Sequence, residues 1–228
     1  DFGGGNSVNL AQGQAGGSYF PTVATNDLFM MPGGSELLIV VPNGLNLEIA
    51  DLLRVNLANG AITSVLASVV VDKFPPANAR RTLFSPDGGK LAAVRRDGNG
   101  GETLFILDLT SPDTAPAEIA GGNRSDRINA VAWAADSARL FFIVTGDTQA
   151  LAYYDSGSRS ERQIVQRGVY QSMVLRPDGG LVALTKENKA GTNDVRSNLV
   201  FVYPAENREQ VVVEGQQGDA ALVPLLAR

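Results

Sequence analysis

The apolar positions of this chain fall into short runs punctuated by turn residues. "ELLIVV" (36–41), "KLAAV" (90–94), "RLFFIV" (139–144) and "LVALT" (181–185) each follow a cluster drawn from Pro, Asp, Gly, Ser and Ala. The runs are rich in β-branched and aromatic residues and too short for helical periodicity, so strands are expected throughout. Pro presets φ and Gly supplies the positive φ of a tight turn, so Pro-Asp-Gly-Gly between two runs predicts a hairpin.

The pattern recurs. Pro32, Pro86, Ala135 and Pro177 occupy equivalent places 54, 49 and 42 residues apart, and Pro224 follows 47 residues later. Such a period suits a four-stranded propeller blade. In the second unit the strands read "RTLFS", "KLAAV", "TLFILDL" and "AEIA"; in the third, "INAVAW", "RLFFIV", "ALAYYD" and "RQIVQ". The fourth gives "QSMVLR", "LVALT", "NLVFVYP" and "EQVVVE", and the first "DLFMM", "ELLIVV", "LLRVNL" and "AITSVLA". Asn59-Gly60, between the last two strands of the first unit, predicts a type I′ hairpin. The expected architecture is an all-β propeller with four recognisable blades at 27–67, 80–120, 127–166 and 169–214 and a partial fifth at 220–228. Within it Pro32, Pro86, Asp87, Gly88, Asp136, Pro177, Asp178 and Gly179 are assigned as structural turn residues. Trp133 is expected to pack between blades, and Tyr153 and Tyr154 to point to opposite faces of their strand.

"FSPDGGKLAAV…LFILDL" and "LRPDGGLVALT…LVFVYP" resemble the TolB-type, WD-like propeller repeats, which also occur as the propeller of dipeptidyl-peptidase-type hydrolases. The resemblance covers roughly residues 27–228. It implies the propeller fold and says little about activity. The third unit departs from it, with Ala134-Ala135-Asp136-Ser137 in place of Ser-Pro-Asp-Gly.

Residues 1–18 carry Gly3, Gly4, Gly5, Gly13, Gly16 and Gly17 among polar spacers, the composition of a flexible leader or tether. A propeller so tethered suits a lipoprotein-like protein of the bacterial periplasm or cell surface, touching a membrane through that tether alone. The apolar runs are far shorter than a spanning helix.

Charge and composition narrow the chemistry. The net charge is -5, which disfavours a nucleic-acid surface. The chain has neither histidine nor cysteine, so a thiol nucleophile, a Cys-zinc site and a Ser-His-Asp triad cannot be assembled from it. No G-x-S-x-G, S-x-x-K or P-loop motif is present. A carboxylate-based glycosidase would need two inward acids about 5–10 Å apart, which turn aspartates at blade ends do not obviously supply. No catalytic residue and no cofactor are therefore assigned. The loop after "KLAAV" places Asp97, Asn99 and Glu102 in a faint echo of a calcium loop, but Gly101 stands where a third ligand belongs. The equivalent loop of the fourth unit is long and charged. Together the two loops bring Arg95, Arg96, Asp97, Lys186, Lys189, Asp194 and Arg196 to one face as a candidate partner surface. The reading is a non-catalytic binding or scaffold propeller, an accessory subunit that docks onto another protein, such as a larger membrane assembly. The alternative is the propeller part of a longer hydrolase whose catalytic domain lies outside this chain.

Overall fold

The computed structural model describes residues 28–43, 46–70, 82–111, 113–147, 149–156, 163–167, 169–176, 178–188, 195–206 and 208–217. Over these the chain is almost entirely strand, with one 3-10 turn at Pro204–Glu206. The strands form four successive antiparallel meanders. The first is β1 (Leu28–Met30), β2 (Glu36–Asn43), β3 (Asn46–Asn56) and β4 (Ile62–Val70); the second is β5 (Thr82–Phe84), β6 (Lys90–Arg96), β7 (Glu102–Asp108) and β8 (Ala117–Gly121). The third is β9 (Arg127–Trp133), β10 (Arg139–Thr145), β11 (Ala150–Asp155) and β12 (Gln163–Arg167); the fourth is β13 (Tyr170–Leu175), β14 (Leu181–Asn188), β15 (Val195–Tyr203) and β16 (Arg208–Gln217). Within each, neighbouring strands in sequence are neighbours in the sheet. The leader (1–18) and the expected fifth unit (220–228) lie outside the described residues.

The turns between the first two strands of each meander repeat the same bonding, the fourth closing one residue earlier than the others. The N–H of Gly34, Gly88, Ser137 and Gly179 donates to the carbonyl three residues back, at Met31, Ser85, Ala134 and Arg176. Those four residues in turn donate their N–H to the carbonyls of Glu36, Lys90, Arg139 and Gly180. Gly34, Gly88 and Gly179 adopt φ of +71°, +72° and +82°. Ser137 takes φ 57° at the same place, so the third unit makes the turn without glycine.

Core formation follows from the two-sided burial of the second strands. Leu91 and Ala93 join Met31, Leu38, Val40, Ala50 and Leu52 in one cluster, while Ala92 and Val94 join Ile128, Trp133, Leu140 and Phe142 in the next. On β10 the alternation continues: Phe141 and Ile143 pack with Tyr170, Met173, Leu181 and Val200. Three apolar layers thus sit between four stacked blades, which is why "LFFIV" (140–144) is apolar at every position. Trp133 is buried in the second layer and donates Nε1–H to the Leu83 carbonyl at 2.9 Å. Tyr153 and Tyr154 leave β11 on opposite sides, and each reaches an inter-blade layer.

Two features depart from the sequence reading. Asn59-Gly60 does not close a two-residue type I′ hairpin. Val55 pairs with Ile62, Asn59 does not adopt positive φ, and Asn56 organises a longer loop. Its Oδ1 accepts from the N–H of Ala58 and Asn59, and its carbonyl accepts from Gly60. An Asx side chain that captures loop N–H groups competes with the shorter turn. The second feature is a seam. Ser68 bends β4 with φ 59° while its N–H donates to Asp51 Oδ1, and Val69 beyond it pairs with Arg95 of β6. β4 takes up the edge of β6 past the end of short β5, fusing the first two blades into one eight-stranded sheet.

Candidate binding surface

The meander geometry sends the β6–β7 and β14–β15 connections to one end of the stack and the Pro-Asp-Gly turns to the other. At the turn end, Asp87, Asp136 and Asp178 perform one job. Each Oδ1 accepts the N–H two residues on, at Gly89, Ala138 and Gly180, at 2.9, 3.0 and 3.1 Å. The Ser85 hydroxyl, donating at 2.6 Å, is the main reason the Asp87 carboxyl is held below its ordinary range; the Gly89 N–H adds to it. Asp108 is lowered chiefly by the Thr110 hydroxyl. Burial works to raise Asp136, but the N–H groups of Ala138 and Arg139 and the Arg139 guanidinium outweigh it. Adjacent turns are also joined: Ser137 Oγ accepts from the Asp87 N–H at 3.0 Å, and its carbonyl accepts from Lys90 Nζ at 3.2 Å. Pro32 and Pro86 are exposed at the tips; Pro177 lies outside the described residues.

At the opposite end the residues expected to gather as a partner surface are divided by their chemistry. Arg95 stacks on the Phe105 ring at 4.7 Å. Arg96 donates through Nε and Nη2 to Glu102 Oε1 at 3.2 and 2.8 Å. Asp97 closes its own loop, with Oδ1 accepting from the N–H groups of Asn99 and Gly101 at 2.9 and 2.8 Å. Lys186 and Arg196 stand near the end of the β14–β15 pair, on the fourth blade, so the third blade separates them from the second-blade set. Lys189 and Asp194 lie outside the described residues.

Glu102 has a larger role than its place in a calcium-like string suggests. Its side chain is 0 % exposed. While Oε1 takes Arg96, Oε2 accepts the Ile128 N–H of the next blade at 2.9 Å. Its backbone N–H donates to the Asp126 carbonyl and its own carbonyl accepts from Gly122. Both carboxylate oxygens are engaged, Oε1 within the second blade and Oε2 across to the third, and Asn99 points its N–H at Asp97. The three residues are therefore not assembled as a ligand set, and no cluster of three or more metal-ligating His, Cys, Asp or Glu occurs among the described residues. The sequence carried one sign of this: Glu102 stands directly before the apolar run "TLFIL" (103–107), where a charge needs a partner.

The most exposed apolar stretch is one that sequence reasoning missed. Val211, Val212 and Val213 of β16 are 43, 44 and 39 % exposed. β16 is the outermost strand of its sheet, and its pairing with β15 slips at two places between Ser197 and Val200. The "EQVVVE" run reads as an ordinary strand; only its position on the edge exposes all three valines. At the head of the strand, Arg208 lies over the Tyr203 ring at 3.9 Å and pairs with Glu206 at 2.8 Å, while Arg176 lies over Phe201 at 4.6 Å.

No helix among the described residues is long and apolar enough to cross a membrane. No protein-family model matches the chain, and no curated protein does. Solved structures do. The β-propeller domain of the Trilobed protease from Pyrococcus furiosus, described as having an open velcro topology, superposes with TM-score 0.52 at 18% identity, over 80% of this chain and 55% of that one. TolB from Acinetobacter baumannii is similar at TM-score 0.47 and 14% identity, over 79% of this chain and 41% of that one. An oligogalacturonate lyase, solved in complex with manganese, gives 0.49 and 16%, over 82% and 52%. The chain thus spans about half, or less, of the solved chains it resembles. With its repeated four-stranded meanders, stacked face to face and joined by equivalent turns, the chain has the β-propeller fold, as the propeller domain of the Trilobed protease does.

Proposed function

We propose that this chain is a non-catalytic, protein-binding propeller of the bacterial cell envelope, acting outside the cytoplasm as an accessory subunit. The observation that supports it best is the exposed valine run on the edge of β16. A solvent-facing edge strand with contiguous apolar side chains is a liability unless something covers it. A strand from a partner can add to such an edge, with backbone hydrogen bonds giving affinity and side chains giving selectivity. The charged groups support the same reading. Those of the β6–β7 end are held in structural contacts, Arg95, Arg96 and Asp97 within their own blade and Glu102 across to the next, which favours binding over bond-breaking chemistry.

The test is site-specific photo-crosslinking in the source cells, with a photoreactive residue at Val212 and, as control, at exposed Asn59. The proposal expects a discrete adduct to one protein from Val212 and none from Asn59. Equal, diffuse labelling from both sites would reject it. So would intact-mass analysis of the native protein showing a catalytic domain on the same polypeptide, which would establish the hydrolase-propeller reading instead.

A further inference from the structure

At the turn end the second and third blades are joined directly. The Asp87 N–H donates to Ser137 Oγ, and Lys90 Nζ donates to the Ser137 carbonyl. The first and second blades meet there around Arg54 of β3. Its Nη2 pairs with Asp113 Oδ1 of the β7–β8 connection at 3.0 Å, and its Nε stands 3.8 Å from Glu36 Oε1. The Asp113 side chain is 94 % exposed, so that pair by itself contributes little. Nη1 is buried and has no hydrogen-bond partner among the described residues. A buried N–H left without an acceptor is costly, and more so on a charged group.

Arg54 borders a cleft of about 20 Å³ between these two blades. Met31 and Leu38 of the first blade and Leu107 and Leu109 of the second give it apolar walls, and Asp108 and Thr114 add polar groups. Asp108 Oδ1 is taken by the N–H groups of Thr110 and Ser111, which leaves Oδ2 as an acceptor. These residues define the occupant. It accepts a hydrogen bond, because Nη1 needs an acceptor. It is neutral, because Glu36 and Asp113 already flank the guanidinium and Asp108 would repel an anion. It is small, and a water molecule needs roughly 10–15 Å³ and two to four polar partners.

We propose that this cleft is the binding site of one water molecule, which accepts from Arg54 Nη1 and donates to Asp108 and so bridges the first and second blades. The bound water does between these blades what the Ser137 hydroxyl does between the second and third. A bridging water of this kind is enthalpically close to a direct hydrogen bond.

A crystal structure of the protein grown with bromide as the only halide tests this directly. The proposal expects one water peak at roughly 2.7–3.2 Å from Nη1 and no anomalous bromide signal beside it. Arg54→Met, which keeps much of the bulk and removes the donors, should lose that peak, whereas Asp113→Asn should keep it. In solution, water-to-methyl cross-relaxation should show a long-lived water at the Met31 methyl of the unaltered protein, a readout that stands even if a variant fails to fold. A bromide ion on Nη1 would overturn the proposal in favour of an anion site. Nη1 bonded directly to Asp108, or a Met31 methyl with no long-lived water beside it, would overturn it as well.

Discussion

Ser137 shows how much one side chain decides. It sits at φ 57°, a conformation that costs an ordinary residue about 1–2 kcal/mol. Its hydroxyl accepts the Asp87 N–H of the neighbouring turn. Ser137→Ala keeps the strain and loses the acceptor, so it should destabilise by about 1 kcal/mol in denaturant unfolding. Ser137→Gly should cost less than the alanine, because glycine relaxes the backbone. The turn aspartates set an acid-side dependence. The folded carboxyls of Asp87, Asp108 and Asp136 lie below the ordinary 3.8. Their stabilising contribution is therefore present above that value and lost as pH falls through the lowered one. Urea midpoints should fall on acidification below 3.8, and Asp87→Asn should make that fall shallower. Tyr170 acts at the other extreme. Burial, reinforced by its hydrogen bond to Glu209, raises the phenol above its ordinary 10.0. The folded state holds that proton more tightly, so its contribution is complete below 10.0 and is lost above it. Tyr170→Phe should remove this alkaline loss from a pH series of melting temperatures.

At the scale of the element, the joint between β7 and β9 concentrates the risk. Glu102 brings a buried charge to the seam, satisfied by Arg96 and the Ile128 N–H. Glu102→Ala leaves both donors without their acceptor and should cost about 2–4 kcal/mol, read as a lowered denaturation midpoint. Gly121 stands against the same strand with φ +92°, and a Cβ there would lie 2.1 Å from the Glu102 carbonyl oxygen. Gly121→Ala should therefore cost at least about 2 kcal/mol, well beyond a glycine's ordinary replacement. Gly88→Ala, at φ +72° but with no atom within 4 Å of the new Cβ, should cost about 1 kcal/mol.

At the scale of the molecule, stability is layered. Each blade contributes one apolar face to each neighbour, so the second and third blades, with both faces buried, form the most resistant part. Native-state hydrogen exchange should find the slowest amides in β6, β7 and β10 and faster exchange in β16. The fused sheet formed by β4 and β6 should make the first two blades exchange together.

Strand content, turn positions and inter-blade aromatics were legible in the sequence because each rests on local chemistry. Gly88 and Gly179 supply the positive φ of their turns, and burial on both faces of β10 needs an uninterrupted apolar run. Asn59-Gly60 misled because Asn56, three residues away, captured the loop N–H groups first. The fates of the charged residues were not legible. Arg95 and Arg96 read alike in sequence, yet one finds the Phe105 ring and the other the Glu102 carboxylate, a choice made by which face of β6 each leaves. Nor does "EQVVVE" say whether a strand is covered or at an edge. The sequence by itself determined the repeat, the strands and their turns, because those depend on backbone preference and period. Only the tertiary structure decided which charges are consumed within and between blades and which valines stay exposed on an edge strand, because both depend on what lies next to each strand.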